Sequence, residues 1–115
     1  MFAAGQNVHS LTAIVDYNKW QATGRSQEVL ALEPLTAKWQ AFGWHAQQID
    51  GHDFEAITQA LSAARTETKK PSVIVADTVK GRGVSFMEDD NNWHYRTPNN
   101  EELGKALAEL KEKTP

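Results

Sequence analysis

The chain has 115 residues, 40% hydrophobic and 23% charged, with a formal net charge of −3. That length suits one small domain rather than two, the composition excludes a disordered chain, and a mildly acidic balance with scattered basic residues excludes a nucleic-acid surface. Cysteine is absent, which rules out a disulfide framework, a thiolate metal site and a cysteine nucleophile.

Residues 1–4 look like the end of an element. Residues 11–16, LTAIVD, form a short apolar run with β-branched residues, the pattern of a buried strand. Residues 17–29, YNKWQATGRSQEV, are polar and read as a loop. Pro34 suits a first helical position. Leu35, Trp39 and Phe42 recur at helical spacing before Gly43, so a helix is expected there. Residues 44–50, WHAQQID, read as a weaker strand, followed by a turn at DGHD. Asp53 can cap the next helix, whose expected apolar stripe is Phe54, Ile57, Leu61 and Ala64. Pro71 closes that connection, and the pair Lys69-Lys70 reads as a solvated helix end. Residues 72–77, SVIVAD, are the clearest strand. A polar loop from Thr78 to Thr97 follows, and Asn99 or Asn100 starts a last helix carrying Leu103, Leu107 and Leu110.

The order β-α-β-α-β-α, with apolar runs rather than strict alternation, implies an α/β fold with a mostly parallel sheet covered on both faces. Three strands make a thin sheet, which with the abrupt beginning suggests a piece of a larger unit. No apolar run approaches a membrane span and MFAAGQNVHS does not read as a signal peptide, so the cytoplasm is expected and no membrane contact is.

Open parallel sheets bind ligands beyond the carboxyl ends of their strands. Residues 16–24, 50–53 and 78–98 meet that edge. Asn18 offers a neutral oxygen, either as a ligand for a hard cation such as Mg²⁺ or as an ordinary turn residue. Lys80 and Arg82 of KGRG can face phosphate, or the stretch can be a flexible loop. The four histidines show no zinc-type spacing. His45 suits a hydrogen-bonded structural role, and His52 can order the DGHD turn. His94, in the loop NNWHYR, can donate to phosphate or transfer protons near neutral pH, or be structural. Trp20, Trp93 and Tyr95 suit apolar walls or a chain–chain contact. Met87-Glu88-Asp89-Asp90 can bind a cation or be a solvated loop, and it reads as the solvated loop.

Three stretches, MFAAGQNVHSLTAIVDYNKWQATGR, AFGWHAQQIDGHD and TVKGRGVSFMEDDNNWHYRTPN, resemble in order and spacing the thiamine-diphosphate-binding N-terminal domain of transketolase. The resemblance covers nearly the whole chain and implies part of a three-layer α/β/α thiamine-diphosphate-binding fold. In that family a diphosphate-binding motif opens with Gly-Asp-Gly and closes on an Asn after a strand, and VDYN looks like the close. The resemblance implies that Asn18 gives its side-chain oxygen to Mg²⁺ and Trp20 its backbone carbonyl. It implies that Lys80 approaches the cofactor or its diphosphate. His94 would contact the diphosphate and the reacting end of the substrate, as the catalytic residue. Gln21 and Gly24 would shape the loop beside them.

Two features depart from the family pattern. No Gly-Asp-Gly occurs in the sequence, and Tyr95 stands where most members have Gly after the loop histidine. Family members also take a glutamate that activates the cofactor's aminopyrimidine ring from a second domain, often of a partner subunit. The expectation is therefore that residues 1–115 are part of a transketolase-type domain lacking the Gly-Asp-Gly half, as a fragment or one piece of a split protein. Its partners would be a complementary transketolase domain or subunit, in a homo- or hetero-oligomer, and sugar phosphate substrates. The implied reaction transfers a two-carbon ketol unit from a ketose phosphate to an aldose phosphate. A related enzyme of another sugar pathway and a non-catalytic remnant or interaction module remain as alternatives.

Overall fold

The computed structural model describes residues 1–112. In chain order the elements are α1 (Phe2–Gly5), β1 (Thr12–Tyr17), β2 (Trp20–Gln21), β3 (Gly24–Arg25), α2 (Ser26–Val29), α3 (Leu35–Ala41), β4 (His45–Asp50), α4 (Phe54–Thr66), β5 (Ser72–Asp77), a 3₁₀ turn (Asn91–His94) and α5 (Asn100–Glu112). They divide into two compact units. One comprises residues 1–17 and 30–78, the other residues 18–29 and 79 onward.

The first unit is a parallel sheet in the order β1-β5-β4. The strand with the longest β-branched run, β5, takes the centre, where Val73 and Val75 are fully buried. Parallel register places Ala13 and Val15 of β1 and Ala46 of β4 on the same face as Val73 and Val75. With Tyr17 and Trp44 they pack against Ala3 and Ala4 of α1 and Leu35 and Trp39 of α3. On the opposite face Ile74 and Ile49 pack against Ala60 and Ala64 of α4. Helices on both faces of a parallel sheet give the expected α/β/α layering, and the main elements follow the expected β-α-β-α-β-α order.

Several boundaries differ by a residue from the pattern in the sequence. Pro34 is the N-cap of α3 rather than its first helical residue, and Phe42, half exposed, caps the other end. Gly43 at φ 85° then supplies the left-handed reversal into β4. In α4 the Asp53 carboxylate accepts from the N–H groups of Glu55 and Ala56, at 2.8 and 3.2 Å, as expected for its cap. The expected stripe is the buried face only in part, with Ala64 buried and Ile57 half-buried. Phe54 is 85% exposed, Leu61 is also exposed, and Ala60 and Ala64 make the contact. Small residues let the helix approach the sheet closely, and Gln47 of β4 donates to the Ala60 carbonyl at 3.1 Å.

Polar groups at the strand ends are used locally. Asp16 accepts a hydrogen bond from the Thr78 hydroxyl. The His52 N–H donates to the Asp50 carboxylate at 2.8 Å, an Asx turn that orders DGHD. His45 Nδ1 lies 3.5 Å from the Ser72 hydroxyl on the neighbouring strand.

The second unit contains the antiparallel pair β2-β3, α2, the loop after residue 79 and α5. The stretch that reads as one loop over residues 17–29 thus contains a small hairpin and a single helical turn. A reciprocal capping box starts α5. The Asn99 side chain accepts from the Glu102 N–H, and the Glu102 carboxylate from the Asn99 N–H, both at 2.9 Å. Ala106 is the buried residue of α5, while Leu103, Leu107 and Leu110 stay largely exposed.

Candidate functional site

Asn18 follows β1 directly. Its side-chain oxygen accepts the Trp20 N–H at 3.0 Å, closing a turn around Lys19, which sits at φ 69°. A left-handed lysine is uncommon, and the Asn18 bond is one contact that holds it. The chain then reverses through Ala22 and Thr23 with Gln21 opposite Gly24 and Trp20 opposite Arg25. The next pair is hydrogen-bonded, because the Ser26 N–H donates to the Lys19 carbonyl at 2.9 Å. Antiparallel ladders alternate hydrogen-bonded and non-bonded pairs, so Trp20 and Arg25 form a non-bonded pair. Two consequences follow. The Trp20 carbonyl is turned away from its partner strand, and the two side chains lie close together on one face.

They do meet, with the Arg25 guanidinium carbon 3.7 Å from the Trp20 ring centroid. Asp89 completes the cluster. One of its oxygens accepts from the Trp20 indole N–H at 2.8 Å, and both accept from the Arg25 fork at 2.6 Å. The Arg25 hydrogen bonds hold the Asp89 carboxyl below its usual range, and the carboxylate raises Arg25 in return. The Asp89 N–H donates to the Lys80 carbonyl at 2.8 Å. Asn91 adds a second tie, its amide donating to the carbonyls of Gln21 and Ala22 at 3.0 and 3.1 Å.

Glycine is required where the Lys80 loop turns back. Gly81 has φ 73°, and a Cβ there would lie 2.4 Å from the Met87 carbonyl oxygen. Beyond Asp89, His94 ends the 3₁₀ turn with its side chain exposed and its ring edge-on to Tyr95 at 4.5 Å. Trp93 donates its indole N–H to the Phe86 carbonyl at 3.0 Å and lies under Arg96, 4.4 Å from its ring centroid.

This hairpin and loop, with the α/β/α unit, match the family described as transketolase, thiamine diphosphate binding domain, over residues 1–112. The chain belongs to the transketolase family. A 6-deoxy-6-sulfo-D-fructose transketolase subunit of Clostridium sp. (strain MSTE9) is 46% identical over 110 residues, covering 96% of this chain and 40% of that protein. A subunit of apulose-4-phosphate transketolase from Phocaeicola vulgatus is 36% identical over 104 residues, covering 90% of this chain and 37% of that protein. The crystal structure of transketolase from Campylobacter jejuni superposes with a TM-score of 0.87 at 26% identity, covering 96% of this chain and 17% of that one. This transketolase-family chain therefore spans about two fifths of the length of these two curated relatives.

Asn18, Trp20 and Lys80 come into one hydrogen-bonded network, through the Asn18 turn and through Asp89. His94 lies on the same loop as Lys80, three residues after Asn91, and its ring contact is with Tyr95. Among the described residues no three His, Cys, Asp or Glu side chains gather as a metal site. The donors at the Asn18 turn are neutral amide and carbonyl oxygens. Such hard donors suit Mg²⁺, which takes a few protein oxygens and fills the rest of its octahedron with phosphate oxygens and water. Among the described residues no helix is long and apolar enough to cross a membrane.

Asp89 and Asn91 join this network, and the sequence singles out neither one individually. Asp89 stands 64 positions from Arg25 in a run of acidic residues, so neither spacing nor periodicity singles it out. The sequence marks Trp20 as an apolar wall or chain–chain contact, and by resemblance as a carbonyl ligand, but not as the ring beneath a guanidinium.

Proposed function

We propose that this chain forms part of the cofactor site of an enzyme that transfers a two-carbon ketol unit from a ketose phosphate to an aldose phosphate with thiamine diphosphate and Mg²⁺. Membership of a thiamine-diphosphate-binding domain family supports the cofactor. The observation that supports this reading is the turn at Asn18, whose amide oxygen accepts the Trp20 N–H while the Trp20 carbonyl stays out of the hairpin ladder. In this reading Asn18 and Trp20 hold Mg²⁺. Lys80 offsets diphosphate charge, and His94 hydrogen-bonds the diphosphate and moves a proton at the reacting end of the substrate. Thiamine diphosphate, when bound, supplies the carbanion chemistry that breaks and remakes the ketose carbon–carbon bond.

Two neutral protein oxygens leave most of the Mg²⁺ coordination to other groups. The reading therefore assigns the Gly-Asp-Gly aspartate ligand and the activating carboxylate to a complementary transketolase domain or subunit, and the other Mg²⁺ positions to diphosphate oxygens and water. That the two relatives above are themselves named as transketolase subunits supports such a partner.

The decisive experiment is a Mg²⁺ and thiamine diphosphate titration of the complete enzyme, purified with its native partners. Asn18→Ala should raise the Mg²⁺ concentration needed for half-maximal cofactor binding by about tenfold or more, and an unchanged titration would remove the metal assignment. His94→Ala should lower turnover by about a hundredfold while the melting temperature barely moves, because the side chain is exposed. Normal turnover with a large loss of thermal stability would make His94 structural instead.

A second reading changes only the sugar. The relatives named for 6-deoxy-6-sulfo-D-fructose and apulose-4-phosphate favour one of those compounds, or a near analogue, as the donor. Product analysis with each donor separates the two readings.

A further inference from the structure

The Asp89 carboxylate receives three donors from two residues of one hairpin. Its backbone N–H meanwhile holds the carbonyl of Lys80. It stands at φ 56°, a left-handed conformation that aspartate tolerates better than most residues. No other side chain described above touches both the Trp20 indole and the Arg25 guanidinium.

We infer that Asp89 is a positioning residue for the metal site, fixing the Trp20–Arg25 pair so that the Trp20 carbonyl and the Asn18 amide oxygen stay at a spacing one cation can bridge. The inference rests on the reading that Asn18 and Trp20 hold Mg²⁺. Three features of the contact support it. The Arg25–Asp89 fork is bidentate, which fixes orientation as well as distance. The guanidinium lies over the indole, so moving Arg25 also releases the face of Trp20. The Trp20 indole N–H and one arm of that fork share a single Asp89 oxygen, so one carboxylate holds both side chains.

Exposure separates this role from a structural one. The two side chains of the ion pair are 38% and 51% exposed. Exposed pairs contribute little to global stability. Residues that orient metal ligands, by contrast, typically change metal affinity about 10- to 100-fold when removed. Asp89→Ala should therefore loosen the metal site without unfolding the protein.

The test is calorimetric titration of Mg²⁺ into the complete enzyme with thiamine diphosphate present, paired with melting of the metal-free protein. Asp89→Ala should weaken Mg²⁺ binding about tenfold while lowering the metal-free melting temperature only by the small strain of alanine at φ 56°, a strain that Asp89→Asn avoids. Arg25→Ala added to Asp89→Ala should weaken it little further, since both act through one contact. Asp89→Asn keeps an acceptor for the Trp20 indole but loses the fork, and should fall between wild type and alanine. It decides the matter if the alanine variant does not fold. Unchanged Mg²⁺ affinity in the Asp89 variants, with Asn18→Ala weakened, overturns the inference and leaves the metal reading standing. Unchanged affinity in Asn18→Ala as well overturns both. A melting temperature that falls in step with affinity also overturns the inference, because Asp89 is then simply structural.

Discussion

Replacing Gly81 with alanine is expected to disrupt the loop that carries Lys80 more than any other single methyl group added to the second unit. Two costs coincide. Alanine at φ 73° enters the left-handed region, and its Cβ would sit 2.4 Å from the Met87 carbonyl oxygen and 2.6 Å from its carbonyl carbon. Those atoms are backbone, so no side-chain rotation relieves the overlap. The reversal between Lys80 and Asp89 must open, and the bond from the Asp89 N–H to the Lys80 carbonyl goes with it. The combined penalty is about 3 kcal/mol. Cofactor affinity of the complete enzyme should fall together with its unfolding midpoint, and limited proteolysis should cut near residue 81. A variant with wild-type affinity and midpoint would show that the turn is not needed.

The second large effect lies in the first unit. Trp44 is 7% exposed, meets Trp39 edge-on at 4.8 Å, and belongs to the cluster with Tyr17, Val73 and Val75. Trp44→Ala should cost about 3–5 kcal/mol in an unfolding titration. The Trp44 indole N–H, however, is buried without a hydrogen-bond partner among the described residues, a condition that costs about 1–3 kcal/mol. Trp44→Phe removes that orphaned donor while keeping most of the ring, so its net cost should stay under about 1.5 kcal/mol. A phenylalanine variant as unstable as the alanine one would mean that the N–H is satisfied in solution.

The fold was legible where burial dictates sequence. Residues 72–77 match β5 end to end because a central strand covered on both faces needs an unbroken apolar run. Asp53 was legible because a helix start leaves N–H groups that a carboxylate can accept. The buried face of α4 was legible only in part, since the apolar stripe includes the buried Ala64 but also the exposed Phe54 and Leu61, and misses Ala60. The hairpin of β2 and β3 was illegible because two-residue strands have no period to read. In the site, Asn18 and Lys80 stood out by residue type and by their place after strands. Asp89 did not, because its meaning lies in partners far along the chain.

The stack of Arg25 over Trp20 also has an optical consequence. An indole under a cation at 3.7 Å, with its N–H bonded to a carboxylate, sits in a strong and directional field. Its emission should depend on whether that hairpin is closed. The chain has four tryptophans, and Trp39 and Trp44 report from the core cluster instead. With those two and Trp93 exchanged for phenylalanine, Trp20 would remain as this chain's built-in fluorophore beside the proposed metal ligands, so their order could be followed without a label.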